Sequence, residues 1–272
     1  MPQLLFIHAH SPLHPGTGRS LGAVDLAIAR DKATGYPYLP GSSLKGALRA
    51  KAAAAPEMKA SVVTVFGPNT DVDDGSSGSG CAVFGDANLL FLPIASEKGL
   101  FAQVTTEYIL ERFLRDAGSA GPDGANLKDI GTAVLDGAKV HFEDLGARDV
   151  RQAGPGGLLR RALARIPAPL QKEILPRAVC VTDDDFRVLL DQGLDLVTRV
   201  RIDHDTNTAQ SGGLWLEENM PAETMLWSVV GALREGPAVE RLINDLAPGE
   251  TYLGGHVTVG RGRTKLYVGA AT

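Results

Sequence analysis
The sequence predicts an α+β fold with a ferredoxin-like (RRM-like) core, carried by a single domain over residues 1–272. Three observations predict it. A strand pattern stands near each end of the chain, QLLFIHA at 3–9 and a second at 264–269. Helix patterns at about 42–55, 105–116 and 237–246 alternate with strand patterns between them, the layout of helices packed on a sheet. Glycine-rich, polar or mixed stretches at about 10–41, 67–80 and 118–190 interrupt that alternation and read as insertions.

Residues 3–9 read as a first strand rather than a signal peptide, because the apolar run is short and has no basic lead. Residues 10–41 are dense in Gly and Pro and read as loop. Ser42 or Ser43 can cap a helix that runs to about Ala55, where Pro56 stops it. Leu44 and Leu48 mark its buried face, and Lys45 and Arg49 lie one step round. Residues 70–80, TDVDDGSSGSG, read as a mobile surface loop. Residues 81–92 read as a strand pair or one bent strand, and 105–116 as a helix starting near Thr105 or Thr106. Residues 118–126 read as a glycine-rich linker. The rest of 130–190 mixes a strand-like AVLDGAKVHFED with a basic, helix-like LLRRALARI. LDLVTRVRI at 194–202 alternates as a strand, followed by a turn over 203–213 and a strand at 223–231.

A hydrophobic content of 44% is ample for a sizeable core. There is no 18-residue apolar run, so a membrane-spanning helix is not expected and a cytoplasmic location is. Cys81 and Cys180, with no CxxC and no nearby His pair, read as two reduced thiols rather than a zinc site. The net charge of −5 argues mildly against a nucleic-acid binder. The charge is uneven, however. Acids cluster at Asp71, Asp73, Asp74 and at Asp183, Asp184, Asp185, while bases gather in the glycine-rich segments and between Arg148 and Arg165. Salt screens charges beyond about 10 Å, so one basic groove can survive on an acidic protein.

Two segments carry most of the chemistry: HPGTGRSLGAVDLAIARDKATGYPYLPGSSLKGALR at 14–49 and LGGHVTVGRGRTK at 253–265. Glycine lets backbone N–H groups approach an anion, and Arg or Lys supplies charge. Asp25, between Gly22 and Arg30, is either a turn aspartate or a carboxylate that holds a divalent cation beside a phosphate. GSSLKG at 41–46 lacks the GK[ST] order of a nucleotide-binding P-loop. It still sets two hydroxyls and an amine at a helix start, either an ordinary cap or a phosphate seat. Arg261 and Arg263 flank Gly262 in a hairpin turn or a phosphate grip. His8 and His10 share a strand face, while His14 lies in the glycine loop and is the better proton carrier. Asp203, His204 and Asp205 read as a solvated turn, and Trp215 and Trp227 as core. Arg148, Arg151, Arg160, Arg161 and Arg165 read as a surface contact.

The ordered set of motifs resembles the RAMP superfamily of CRISPR RNA-binding proteins, and most of all the repeated backbone subunit of type III-B (Cmr) effectors. It comprises Gly16, Gly18 and Gly22; Val24-Asp25; Arg30; Thr34-Gly35-Tyr36-Pro37; Pro40 to Gly46; and Gly254, Gly255, Gly260 and Gly262. FGDANLLFLPIASEKGLFAQVTTEYILERFLRD (84–116) and GGLWLEENMPAETMLW (212–227) add to it. The resemblance implies the same core with an inserted thumb hairpin. It also implies a helical filament of copies along a CRISPR guide RNA, other Cmr subunits as partners, and a single-stranded target RNA. Guide contacts would fall to His14, Gly16, Arg30, Ser42, Ser43, Lys45, Arg49, Gly254, Gly255, Arg261 and Arg263. Asp25 aligns with the aspartate assigned to RNA cleavage, with Mg²⁺ or Mn²⁺ as cofactor. A non-catalytic scaffold, or an unrelated enzyme acting on a phosphorylated small molecule, are the other readings.

Overall fold
The computed structural model describes residues 2–19, 22–68, 78–97, 99–118, 139–143, 145–149 and 157–270. The acidic Asp71, Asp73 and Asp74, most of the 118–126 linker and Arg151 lie outside them. In chain order the elements are β1 (Gln3–Ala9), β2 (Tyr38–Leu39), α1 (Gly41–Ala54), α2 (Lys59–Phe66), β3 (Ala82–Phe84), β4 (Ala87–Ser96), β5 (Leu100–Thr106) and α3 (Glu107–Asp116). Next come β6 (Lys139–Phe142), β7 (Gly146–Asp149), α4 (Leu158–Leu163), α5 (Ala168–Ile174), β8 (Ala178–Val181) and α6 (Asp183–Gly193). The chain closes with β9 (Asp195–Ile202), β10 (Ala209–Asn219), β11 (Met225–Ala232), α7 (Gly236–Leu246), β12 (Glu250–Tyr252) and β13 (Arg263–Ala270).

A large, mostly antiparallel sheet runs β12–β13–β1–β11–β4–β5–β8. Every residue of β1 is buried, because β13 and β11 flank it and helices cover the sheet. That is why its middle, Leu4 to Ile7, is a continuous apolar run and not an alternating one. Phe6 of β1 meets Phe113 of α3 edge-on at 5.7 Å, and Phe113 meets Trp227 of β11 at 5.5 Å. The Trp227 Nε1–H donates to Asp116 Oδ2 at 3.0 Å, so the largest core side chain has its one polar atom satisfied. Thr106 caps α3 by accepting from Ile109 N, as the sequence predicts, and Thr182 caps α6, whose first turn holds Asp183, Asp184 and Asp185. Three acids there face the positive end of the helix dipole.

Three local expectations are corrected. Neither Ser42 nor Ser43 caps α1; the helix starts at Gly41 after Pro40, and the Gly41 N–H donates to Asp86 Oδ1 at 2.7 Å. Gly41 packs so closely on the Phe84 and Gly85 backbone that a Cβ would collide, so the cap arrives from the strand side. The turn after β9 is also shorter than 203–213. Asp203 Oδ1 accepts from the N–H groups of Asp205 and Thr206, and β10 begins at Ala209 with a register shift before Leu214. Near the end of the 118–190 stretch, β8 runs parallel to β5 and so joins the main sheet. The third correction is Trp215, which is only half-buried and lines a cleft on β10, whereas Trp227 is core.

The β9–β10 pair stands apart as its own two-stranded sheet. Leu196, Val200, Ile202 and Leu214 on it are exposed.

Candidate functional site
The two glycine-rich segments meet because β1 and β13 are antiparallel neighbours. Ala9 pairs with Thr264, so the chain leaves β1 where it enters β13. The loops then zip together: the N–H groups of His10 and Ser11 donate to Arg263 O, Gly262 N–H to Pro12 O at 2.8 Å, and Gly255 N–H to His14 O at 2.8 Å. The His14 and His256 rings stack at 4.6 Å, 5° from parallel. Gly254 has φ +76°, and a Cβ there would stand 2.6 Å from His14 O, so the close approach requires glycine.

β10 is the third wall. Leu13 and Met220 exchange backbone hydrogen bonds, Leu26 N–H donates to Leu216 O, and Glu218 N–H donates to Leu26 O. Asp25 is thereby held at the mouth of a cleft of about 510 Å³ together with Arg19, Arg201, Trp215 and His256. Its Oδ2 accepts the Leu216 N–H at 2.8 Å, and its Oδ1 takes no hydrogen bond from a described residue. Asp25 is exposed, and so are Arg19 and Arg201.

Beneath the cleft lies an ion cluster that sequence reasoning missed. Glu217, 2% exposed at its side chain, accepts from Arg199 Nε at 3.1 Å and Arg261 Nε at 3.3 Å, and its Oε2 lies 3.0 Å from His256 Nδ1. Burial is the largest influence on its carboxyl and raises the pKa. The hydrogen bonds it accepts and the charges of Arg199 and His256 outweigh that, so the pKa falls from 4.5 to about 2. Glu218 anchors the opposite loop: its Oε1 pairs with Arg30 at 2.6 Å and its Oε2 accepts from Ile28 N. Two adjacent acids inside LWLEENM, an otherwise strand-like stretch, were the signal. Such acids are buried only where cations come to meet them.

The predicted residues therefore sort by position. His14, Gly16, Ser43, Gly254 and Gly255 line a second hollow of about 250 Å³, which shares His256 with the Asp25 cleft. His14 is buried, and its Nδ1 lies 2.7 Å from Glu218 O, so Nδ1 carries the proton there. Arg30 and Arg261 are committed to Glu218 and Glu217, which anchor the loops. Ser42 is exposed and Lys45 half-buried on the first turns of α1, whereas Arg49 turns away to donate to Pro68 O at 3.0 Å. Arg263 is exposed and 3.7 Å from Glu250. His8 is elsewhere, buried between Glu223 at 2.8 Å and Glu173 at 3.4 Å.

Two sets of residues could hold a divalent cation near the cleft. His14, Glu217 and His256 each put a ligand atom within 4.8 Å of the others. An ion there would have to displace two guanidinium groups from Glu217, so the trio fits poorly. Asp25, whose Oδ1 has no partner among the described residues, fits the usual magnesium pattern of one carboxylate completed by phosphate oxygens and water.

Residues 6–265 match the RAMP superfamily. A curated relative, the CRISPR system Cmr endoribonuclease Cmr4 of Pyrococcus furiosus, is 30% identical over 281 residues, covering 97% of this chain and 94% of the relative. Among solved structures, the oligomeric Cmr4 crystal structure from Pyrococcus furiosus superposes with TM-score 0.75 at 25% identity, over 100% of this chain and 99% of that one. A chain of the type III-B Cmr-beta complex bound to cognate target RNA gives TM-score 0.76 at 23% identity, over 98% and 97% of the two chains; that likeness speaks for the fold.

Proposed function
The chain belongs to the RAMP superfamily, and from that premise we propose that it is a backbone subunit of a type III-B CRISPR effector. It binds guide RNA and cleaves the complementary target RNA at regular intervals. The relative named as an endoribonuclease, aligned over nearly its whole length, supports the activity. The observation that carries the site is the convergence of both glycine-rich segments on one cleft, with Asp25 at its mouth.

The strand order β13–β1–β11–β4, with α1 after β1 and α7 after β11, supports the ferredoxin-like core. The isolated β9–β10 hairpin is our assignment for the thumb, which would wedge the guide–target duplex. Copies of the chain would assemble along the guide with other Cmr subunits, in keeping with the oligomer seen for the Pyrococcus protein. Protein contacts would read RNA backbone and shape, leaving sequence to base pairing.

In the cleft, Arg19 and Arg201 would draw the target phosphate in, and the loop backbone would fix its position. Asp25 Oδ1 would orient the 2′-hydroxyl that attacks its own phosphate, leaving a 2′,3′-cyclic phosphate and a 5′-hydroxyl. A bound Mg²⁺ or Mn²⁺ would supply Lewis acidity and offset the repulsion between Asp25 and phosphate.

The test is Asp25→Ala, beside Asp25→Asn, in the assembled complex. The Asn variant keeps an acceptor for the Leu216 N–H and removes the charge. Both should bind guide and target while cutting falls at least about 100-fold. The Leu216 hydrogen bond favours a second reading, in which Asp25 merely pins the loop to β10 and the chain is a scaffold. Undiminished cutting by the Asn variant would decide for that reading.

A further inference from the structure
We infer that Trp215 is a stacking platform for one unpaired nucleobase of the RNA in the Asp25 cleft. The inference rests on the reading of that cleft as an RNA track and adds a base-binding subsite to it.

Trp215 shares the cleft face of the β9–β10 hairpin with Arg199 and Glu217: it pairs with Arg199 across the ladder, and Glu217 lies two residues along the same strand. The ring is half-buried, against 1% exposure for Trp227, and it lines the cleft with Asp25, Arg19 and Arg201. An exposed guanidinium pair thus stands beside a partly exposed aromatic surface, the combination that holds single-stranded nucleic acid. The indole N–H is withdrawn from solvent and finds no acceptor among the described residues. A hydrogen bond therefore does not hold the indole in place, and a buried N–H without a partner is unfavourable. What the position uses is the flat apolar area of the ring. That area is sequence-tolerant towards bases, which suits a protein that leaves sequence to a guide. The β9–β10 sheet is also separate from the main sheet, so no core packing depends on the ring as it does on Trp227.

The chain has two tryptophans, and the second is sealed in the core, so intrinsic fluorescence isolates this ring. The full chain is titrated with a fluorescein-labelled single-stranded RNA at low salt, following anisotropy of the label. Tryptophan emission is followed in parallel with unlabelled RNA. The expected result is quenching that tracks binding, abolished in Trp215→Phe, which retains only the core tryptophan. Affinity should fall in the order wild type, Trp215→Phe, Trp215→Leu, with the Leu variant weaker by roughly 5- to 100-fold. RNA binding without quenching overturns the inference but leaves the RNA track standing, and so does a Leu variant that binds as tightly as wild type. Absence of RNA binding by the wild-type chain overturns both.

Discussion
Glu217 sits on β10 with both carboxylate oxygens inside a ring formed by Arg199, Arg261 and His256. These three partners come from β9 and from the segment before β13, so one side chain ties the hairpin to the C-terminal glycine loop. Its pKa is depressed in the folded chain, from 4.5 to about 2. A depressed carboxylate contributes stability above its unfolded pKa, and loses it as pH falls through the folded value. The drop corresponds to about 3 kcal/mol, present at neutral pH and lost between about pH 4.5 and 2. Glu217→Gln keeps the shape and removes the charge. It should unfold in urea with about 3 kcal/mol less stability at pH 7, and the gap should close towards pH 2. A gap of the same size at both pH values would assign the effect to packing instead.

The loops are built as rigid elements by their backbone contacts, and Gly262 shows how. It has φ +76°, donates to Pro12 O, accepts from Leu253 N–H, and a Cβ would run into the Leu253 carbonyl. Gly262→Ala should cost about 1–3 kcal/mol or more, with a fall in Tm of about 3–10 °C, and should weaken RNA binding by parting the two segments. Unchanged Tm and RNA affinity would mean the loop is not held in this form. Such glycines were legible in the sequence, because the need for positive φ or close approach is met locally by residue type. β1, α3 and α7 were legible for the same reason: the burial pattern is written within each element, and Thr106 immediately before α3 supplies its cap. The α1 cap was not, since its acceptor is Asp86 on the far side of α2 and β3. Nor were Glu217, Glu218 and Trp215, because what makes two acids buried and one indole cleft-facing is a set of partners from distant segments. Asp25 was legible as a candidate, but its hold on Leu216 N–H was not.

At the scale of the molecule, a net charge of −5 has to coexist with attraction to a polyanion. The fold separates the two. The triple aspartate opens α6, which packs on β4 and β5, whereas the glycine loops gather at the β1–β13 end of the sheet. At 0.1 M salt the Debye length is about 10 Å, so charges well beyond it contribute little to the cleft. Within the cleft region Arg30 is already paired with Glu218, and Arg199 and Arg261 share Glu217, which leaves Arg19, Arg201 and Lys45, with Arg263 only loosely paired to Glu250, as the cations the proposed RNA track would offer to phosphate. About four neutralised phosphates on a single strand predict that log K falls with log salt at a slope near −3. Replacing both Arg19 and Arg201 by Gln should weaken binding to every RNA sequence alike and flatten the slope by about 1.4. A slope that stays near −3 in that double variant would place the phosphate track somewhere other than the Asp25 cleft, because only those two of the four line it.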